Sequence, residues 1–530
     1  MATPSGSNGR HISSLGAASR EATPWRTGLS VVLLAVCAKG LAFIREPIIA
    51  AVLGASASSD GYYLAIGLPF LLYNLLGLPF SLWVTARLAA VGSGSSGHAA
   101  QTFYRRSLWG GLGASVLVAL GLVGLSRVLV HVYASGLQGS RLDDAAALCK
   151  LGAVALPALT IQAVASGRLF AEHRFRTVYI WLVAAAVVGL VGVVTLTPRY
   201  GAAGAVVSFV VSWWTSAVAL SLVSQSRTAV TDGAEVGAAW GGELGPGVVY
   251  RAVAMQLFFQ GSGFLVYNFA SRLAEGEIAA TLFASKVIMA IYETVVLTAG
   301  VLVFPRIARF LQQDDERSVG LAVKQALEWL IPVTAASMVV LAVSRTELVA
   351  VIYGRHAFDE HAVRLVSQAL LGYAPYLVGI ALVEVLHRTM VLRGTIGGYF
   401  LVFGGAMLVN TLTCILLVPR FGILGVAAAA SIGMLAASGG LWAYADRRLP
   451  SLRAQRIPLL VGRTTAATGV ALAVLLPLRS RLATPGTLPA RLLLVAGASL
   501  GTALVFAAVM LLLGYRRPRQ LPARDAGGET

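Results

Sequence analysis

The sequence predicts an all-α polytopic membrane protein with 14 transmembrane helices. They form two six-helix lobes related by a parallel repeat, plus two extra C-terminal helices. The chain has 530 residues, of which 57% are hydrophobic and only 12% charged, whereas a soluble protein carries about a quarter charged residues. Many apolar runs reach the roughly 20 residues that a helix needs to cross the hydrocarbon core. A short turn motif also recurs once, far along the chain.

The apolar runs give the order of the spans, with helix ends uncertain by a few residues. We place them at 27–50, 61–86, 107–132, 144–170, 176–197, 201–224, 249–272, 280–309, 320–344, 362–390, 396–418, 421–445, 458–478 and 489–515. An even number puts both termini on one side. Lys and Arg are roughly twice as frequent in the segments on that side, so the positive-inside rule predicts cytoplasmic termini. The same bias explains much of the formal charge of +18 without a nucleic-acid partner.

The recurring motif divides the chain. LTPRYGAAG at 196–204 returns as LVPRFGILG at 417–425, so both copies match L-x-P-R-aromatic-G-x-x-G. Proline and glycine suit a tight turn between two helices, and two unrelated turns rarely share all the fixed positions. We therefore predict lobes at 27–225 and 249–446. Because each lobe has an even number of helices, the lobes share one orientation, which is typical of alternating-access carriers.

The remaining segments complete the predicted organisation. Residues 1–26 form a polar, disordered cytoplasmic tail, and residues 226–248 form a cytoplasmic linker between the lobes. Residues 447–515 contain the two additional helices, and residues 516–530 form a basic cytoplasmic tail.

The sequence offers little support for enzymatic activity. It has no G-x-x-x-x-G-K-[ST] motif, so it contains no phosphate-binding loop of that kind. Its seven histidines show no metal-ligand spacing, and no outer loop is long enough for a catalytic domain. We therefore predict a transporter without cofactor or metal. Its energy would come from an ion gradient, the membrane potential or the gradient of its substrate.

Ionisable residues inside the spans indicate where a substrate binds, because such residues usually face a cavity or a partner. Helix one carries Lys39, with Arg45 and Glu46 at its outer end. Lys39 and Glu46 are nearly two turns apart and share a face. Lys39 and Arg45 are separated by about 9 Å of helix rise, which suits an anionic headgroup passed from one cation to the next. Arg45 and Glu46 could instead anchor the helix end at the membrane interface. The other polar residues that cluster on the first helices of each lobe are Asp60, Asn74, Asn268, Arg272, Lys286 and Glu293.

Several short motifs, taken in order, resemble a known family. Residues 38–65 read AKGLAFIREPIIAAVLGASASSDGYYLA, and LPFLLYN follows at 68–74. The second lobe contains FASK at 283–286, FPRIA at 304–308 and GRHAFD at 354–359. Their order and spacing are similar to those of the MurJ/MviN lipid II flippases. These belong to the multidrug/oligosaccharidyl-lipid/polysaccharide exporter superfamily.

The resemblance implies a function and a site. Such proteins carry undecaprenyl-diphosphate-linked sugars from the inner to the outer leaflet of the bacterial cytoplasmic membrane by alternating access. The family's cavity arginines correspond to Lys39, Arg45, Asn74 (or Tyr73) and Lys286. One arginine is thus retained, two are replaced by lysine and one is lost. We expect these positions to bind the diphosphate and sugar, with support from Glu46, Asp60, Asn268 and Arg272.

Other interpretations remain open. The substrate could be another lipid-linked oligosaccharide, of the O-antigen or exopolysaccharide type, since lysine lacks the bidentate geometry of arginine. A cation-coupled drug exporter of the same superfamily fits less well, because the predicted cavity is cationic. A non-transporting scaffold for the cell-wall or polysaccharide synthesis machinery is a third possibility. The predicted partners are the lipid-linked oligosaccharide, membrane lipids and that machinery.

Overall fold

The computed structural model of the protein describes residues 24–92, 97–225, 246–313, 315–392, 398–453, 455, 457–482 and 487–514. Most of the predicted N-terminal tail and of the linker at 226–248, and all of the C-terminal tail at 516–530, lie outside the described residues. Within those residues the chain forms helices and no strand, so the all-α prediction is confirmed.

The helices of the first half, which we define as residues 24–225, follow the predicted spans in order. Their bounds are α1 Pro24–Leu53, α2 Ala57–Leu72, α3 Leu78–Gly92, α4 Gly97–Gly124, α5 Ser126–Tyr133, α6 Gly139–Ala153, α7 Ala155–Ala171 and α8 Phe175–Gln225. A π-helical segment, Tyr73–Gly77, joins α2 to α3.

The second half, residues 246–448, repeats much of this order. Its helices are α9 Pro246–Ala270, α10 Glu277–Ile291, α11 Thr298–Gln312, α12 Glu316–Tyr353, α13 Glu360–Tyr373, α14 Tyr376–Leu392 and α15 Tyr399–Arg448. A π-helical segment, Tyr292–Leu297, joins α10 to α11. The short α16 Pro450–Arg453 leads to α17 Ile457–Ser480 and α18 Leu488–Leu512.

The count of 14 spans is not confirmed. Nine helices in the described part of the chain are long and apolar enough to cross a membrane, or ten if the bent pair formed by Glu360–Tyr373 and Tyr376–Met390 is one span. Among the nine, α8 and α15 each contain two helical segments that meet at a kink at a glycine.

Both kinks lie at the glycine of the repeated turn motif. Gly201 has φ 57° and ψ −137°, and Gly422 has φ 53° and ψ −129°. Only glycine adopts this region readily, because a Cβ atom would collide with the backbone. The same sequence motif therefore produces the same reversal of direction in both halves.

Other irregularities recur at matching positions. Leu125, between α4 and α5, has φ −103° and ψ 14°, and Ser344 inside α12 has φ −110° and ψ 19°. The two π-helical segments also lie about 220 residues apart, close to the spacing of the turn motifs. The halves thus share the same breaks in the same order.

Packing follows the same scheme. Helix α1 packs against the long α8 of its own half, and α9 packs against α15. Helices α17 and α18 pack against α12, with Val339, Val343, Ala471 and Leu475 at the centre of the contact. A buried ion pair between Glu347 of α12 and Arg479 of α17 joins the C-terminal helices to the second half.

Candidate functional site

Three charged side chains predicted for the site meet between the two halves. Glu46 of α1 is buried, and its carboxylate lies 3.2 Å from Arg45 Nη2 and 3.8 Å from Lys286 Nζ of α10. Glu46 and Lys286 come from opposite halves of the chain. The two cations compensate the buried charge of Glu46, and removal of that carboxylate would leave a cation uncompensated, which is strongly destabilising.

Aromatic residues of three helices surround this cluster. Tyr63 donates a 2.6 Å hydrogen bond to the second carboxylate oxygen of Glu46. Its ring meets Phe283 of α10 edge to face, with centroids 5.4 Å apart. The guanidinium of Arg45 lies 5.9 Å from the centre of the Phe209 ring, within the range of a cation–π contact. Both carboxylate oxygens of Glu46 therefore have partners, and its position is fixed.

Lys39 pairs with Glu293 and not with Glu46, the carboxylate that shares its helix face. Its Nζ atom lies 2.5 Å from Glu293 Oε1, on the π-helical segment Tyr292–Leu297. Glu293 lies about two helical turns beyond Lys286, so both side chains of the second half reach toward α1. A second ion pair between the halves thus lies beside the Glu46 cluster.

The group borders open space. The side chains of Lys39, Lys286 and Glu293 are 52%, 39% and 33% exposed. Charges exposed to lipid at membrane depth are costly, so such residues are found facing water-filled cavities or partners. The arrangement links the halves through three cations and two carboxylates, of which Glu46 is buried and Glu293 is accessible.

Asn74, the remaining residue predicted to bind substrate, lies on the other π-helical segment, Tyr73–Gly77, and is half-buried. Asn74 and Glu293 occupy the second position of their respective segments. π-Helical turns are frequent at functional sites.

The predicted supporting residue Asp60 lies elsewhere, where the ends of the halves meet. Its carboxylate accepts hydrogen bonds of 2.8 Å from the backbone N–H groups of Gly276 and Ala279. Those groups belong to the N-terminus of α10, so Asp60 caps a helix of the opposite half. Such N–H groups have no partner within the helix, and a carboxylate also interacts favourably with the helix dipole.

Asn268 and Arg272 belong to the same region. Asn268 donates a 3.1 Å hydrogen bond to the carbonyl of Val132, and Arg272 Nε donates one of 3.2 Å to the hydroxyl of Ser135. Arg272 also binds Asn268 Oδ1 at 2.7 Å. These two residues connect the end of α9 to the loop after α5.

We call this region the far junction; it comprises residues 51–60, 132–136, 267–279 and 357. Gly136 N–H donates to Ser271 Oγ at 3.0 Å, and Ala357 N–H donates to the carbonyl of Ala51 at 3.0 Å. In each case, the loop after one half's third predicted span binds the end of the other half's first helix. The far junction therefore holds the halves together at the end opposite the N-terminus of α1.

The predicted residues thus separate into two groups. Arg45, Glu46, Lys286 and Lys39 come together between the halves, whereas Asp60, Asn268 and Arg272 form the far junction. The sequence placed Glu293 among the clustered polar residues but not among those predicted to bind substrate, and Tyr63 was not predicted at all. The available signals were the position of Glu293 two turns after Lys286 and the place of Tyr63 close to Asp60 in the stretch that carries the charges.

The comparisons agree with this architecture. The family model described as lipid II flippase MurJ matches residues 49–497. Among curated proteins, none matches the chain.

Solved structures show the same fold. A lipid II flippase MurJ in an inward closed conformation matches with a TM-score of 0.70 and 16% identity, covering 91% of this chain and 100% of that one. An inward-facing multidrug resistance MATE family transporter matches with a TM-score of 0.62 and 14% identity, covering 80% and 99%. A transporter of the MOP superfamily from Pyrococcus furiosus matches with a TM-score of 0.57 and 13% identity, covering 80% and 96%.

Proposed function

The chain belongs to the MurJ family of lipid II flippases, and on that premise we propose that it moves a diphosphate-linked, membrane-anchored saccharide between the leaflets of the bacterial inner membrane. It is a multi-pass membrane transporter, not an enzyme. Its proposed substrate is undecaprenyl-diphosphate-linked, as in lipid II, and it moves from the inner to the outer leaflet.

One observation supports this function above the others: three cations, Arg45, Lys286 and Lys39, lie in a group of ion pairs that links the two halves, and the two lysines are accessible. Phosphate oxygens bind arginine through a planar fork and lysine through a point charge. Two polar groups at this place, Arg45 Nε and the Tyr62 hydroxyl, are buried and make no hydrogen bond within the described part of the chain. They add unused donor capacity beside the cations.

The position of the cluster suggests how binding could be coupled to movement. Arg45 and Lys39 belong to the first half and Lys286 to the second, so a bound headgroup contacts both. The far junction closes one end of the space between the halves. We propose that this end faces the outside, with both termini cytoplasmic, and that it opens when the halves rock apart.

A second candidate substrate is another lipid-linked oligosaccharide, of the O-antigen or exopolysaccharide type. It is favoured by the presence of Lys39 and Lys286, which offer charge without the bidentate geometry of arginine. In either case we propose membrane lipids as partners of the lipid tail, association with cell-wall or polysaccharide synthesis, and an ion gradient or the membrane potential as the energy source.

The test is complementation of a bacterial strain depleted of its lipid II flippase. We expect the wild-type chain to restore growth, and Lys39→Ala, Arg45→Ala and Lys286→Ala each to lose most of that activity while still inserting. Lys150→Ala, an exposed lysine in the last turn of α6, serves as the control and should behave as wild type. Full growth with all three site variants would contradict the proposed function.

A second outcome would favour the other candidate substrate. In that case the wild-type chain does not restore growth of the strain depleted of its lipid II flippase, but it does restore surface polysaccharide in a strain lacking an O-antigen flippase.

A further inference from the structure

Glu293 has no role in the function described so far, although it makes the shortest contact at the site. Its Oε1 atom lies 2.5 Å from Lys39 Nζ, and the two residues belong to opposite halves. Both side chains remain accessible, at 33% and 52% exposure. The carboxylate of Glu293 therefore pairs with the ammonium group of Lys39, which in the proposed function binds a phosphate of the substrate.

The two carboxylates of the site differ in how firmly they are held. Glu46 is buried and is bound by Arg45, Lys286 and the Tyr63 hydroxyl. Glu293 borders open space and contacts one exposed ammonium group. An exposed ion pair contributes little net free energy, so Glu293 can be exchanged for another anion, whereas Glu46 cannot.

The charge of the site points the same way. Lys39, Arg45 and Lys286 face two carboxylates, which leaves a surplus of a single positive charge. The diphosphate of a lipid-linked sugar carries an ionised oxygen on each phosphate. If Glu293 moves away, the net positive charge of the site equals in magnitude the negative charge of that diphosphate.

We propose that Glu293 is a displaceable internal counter-ion: it neutralises Lys39 in the empty carrier and is replaced there by the diphosphate of the substrate. This inference rests on the proposed function. Because Glu293 competes for Lys39, it weakens the binding of every anion. Binding affinity is lowered most for anions that carry too little charge to displace Glu293, so Glu293 contributes to selectivity for diphosphates.

The location of Glu293 supports a movable side chain. It lies in the π-helical segment Tyr292–Leu297, where the backbone departs from regular α-helical geometry. The corresponding position of the first half holds Asn74, which is uncharged. At this position of the π-helical segments, a carboxylate is thus present in the second half and not in the first.

The test is calorimetric titration of the purified full-length protein with inorganic pyrophosphate at low ionic strength. We expect Glu293→Gln to bind pyrophosphate about tenfold more tightly than wild type, since a competing charge is removed. Glu293→Asp keeps the carboxylate and should stay within about twofold of wild type. Combining Glu293→Gln with Lys39→Gln should abolish the gain, because the counter-ion then has nothing to neutralise.

A matched control is Glu384→Gln. Glu384 is also a carboxylate of the second half, but it pairs with Arg388 and accepts a hydrogen bond from Tyr292. An equal gain in affinity from Glu384→Gln, or an undiminished gain in the Lys39→Gln background, would overturn the assignment.

The outcomes separate this inference from the proposed function. If wild type binds pyrophosphate and Glu293→Gln binds it no more tightly, the counter-ion role alone is overturned. If neither protein binds pyrophosphate, the cationic site itself is wrong, and both conclusions fall.

Discussion

The carboxylate of Asp60, in the first half of the chain, accepts a 2.8 Å hydrogen bond from the backbone N–H of Ala279 in the second half. A helix N-terminus is normally capped by a residue of its own segment. Here the position before α10 is Gly276, which has no side chain to form a cap, and its backbone N–H also donates to Asp60. The stability of one helix end therefore depends on the docking of the two halves.

Asp60→Ala should loosen the far junction, since loss of a cap costs about 1 kcal/mol and this cap also joins the halves. The measurement is the distance between spin labels at Ser140→Cys and Arg364→Cys, in a Cys37→Ser background that removes the exposed native cysteine. We expect the distance distribution to shift toward longer values.

The control for that experiment is Asp359→Ala. Asp359 caps its own helix by accepting a 2.8 Å hydrogen bond from Ala362 N–H, so the same chemistry is lost within one half. A widening of equal size in both variants would show that Asp60 has no special part in holding the halves together.

Glu46→Gln should destabilise the protein strongly, by about 3 kcal/mol, because a partly buried Arg45 loses its counter-charge. Tyr63→Phe removes only one hydrogen bond to the same carboxylate and should cost about 1 kcal/mol. Thermal unfolding of the purified variants in detergent gives the comparison. Equal losses from the two substitutions would contradict a charge-based role for Glu46.

Glu347→Gln should weaken the attachment of α17, since it leaves the guanidinium of Arg479 without its counter-charge at a site where both side chains are largely buried. Breaking a buried pair costs about 3 kcal/mol, and exchanging the charges in Glu347→Arg with Arg479→Glu should recover part of it. Thermal unfolding is again the measurement. Glu360→Gln breaks an exposed pair with Arg364 and should have no measurable effect.

Gly422→Ala should destabilise the second half by about 2 kcal/mol, because its positive φ strains any residue with a Cβ atom. The loss arises from the local backbone alone, since no atom of another part of the chain lies within 4 Å of the added methyl group. Gly113→Ala introduces the same methyl group into open space within α4 and should be neutral or slightly stabilising. A similar midpoint of unfolding for both variants would contradict this explanation.

Much of the fold could be predicted because its signals are local. Apolar runs of sufficient length predict membrane helices, and the repeated L-x-P-R-aromatic-G motif predicts the turns that the structure places at Gly201 and Gly422. The number of spans was less certain, since long helices bend and one candidate span is divided between α13 and α14.

The candidate site was only partly predictable, because its contacts join residues more than 200 positions apart. Adjacent charged residues such as Arg45 and Glu46 can be recognised from the sequence alone. The pairing of Lys39 with Glu293, and of Asp60 with the N-terminus of α10, depends on how the halves dock. Helical periodicity alone placed Lys39 with Glu46, since it describes one helix and says nothing about the facing one.

The two π-helical segments have a consequence for insertions and deletions. A widened turn contains one residue more than a regular α-helical turn, which rotates everything that follows by about 100°. Deleting a single residue from Tyr292–Leu297 would regularise the backbone, yet it would swing the faces of Thr298–Gln312 away from their present neighbours. After each π-helical segment, the direction in which the following side chains point therefore depends on the number of residues in the segment and not on their types.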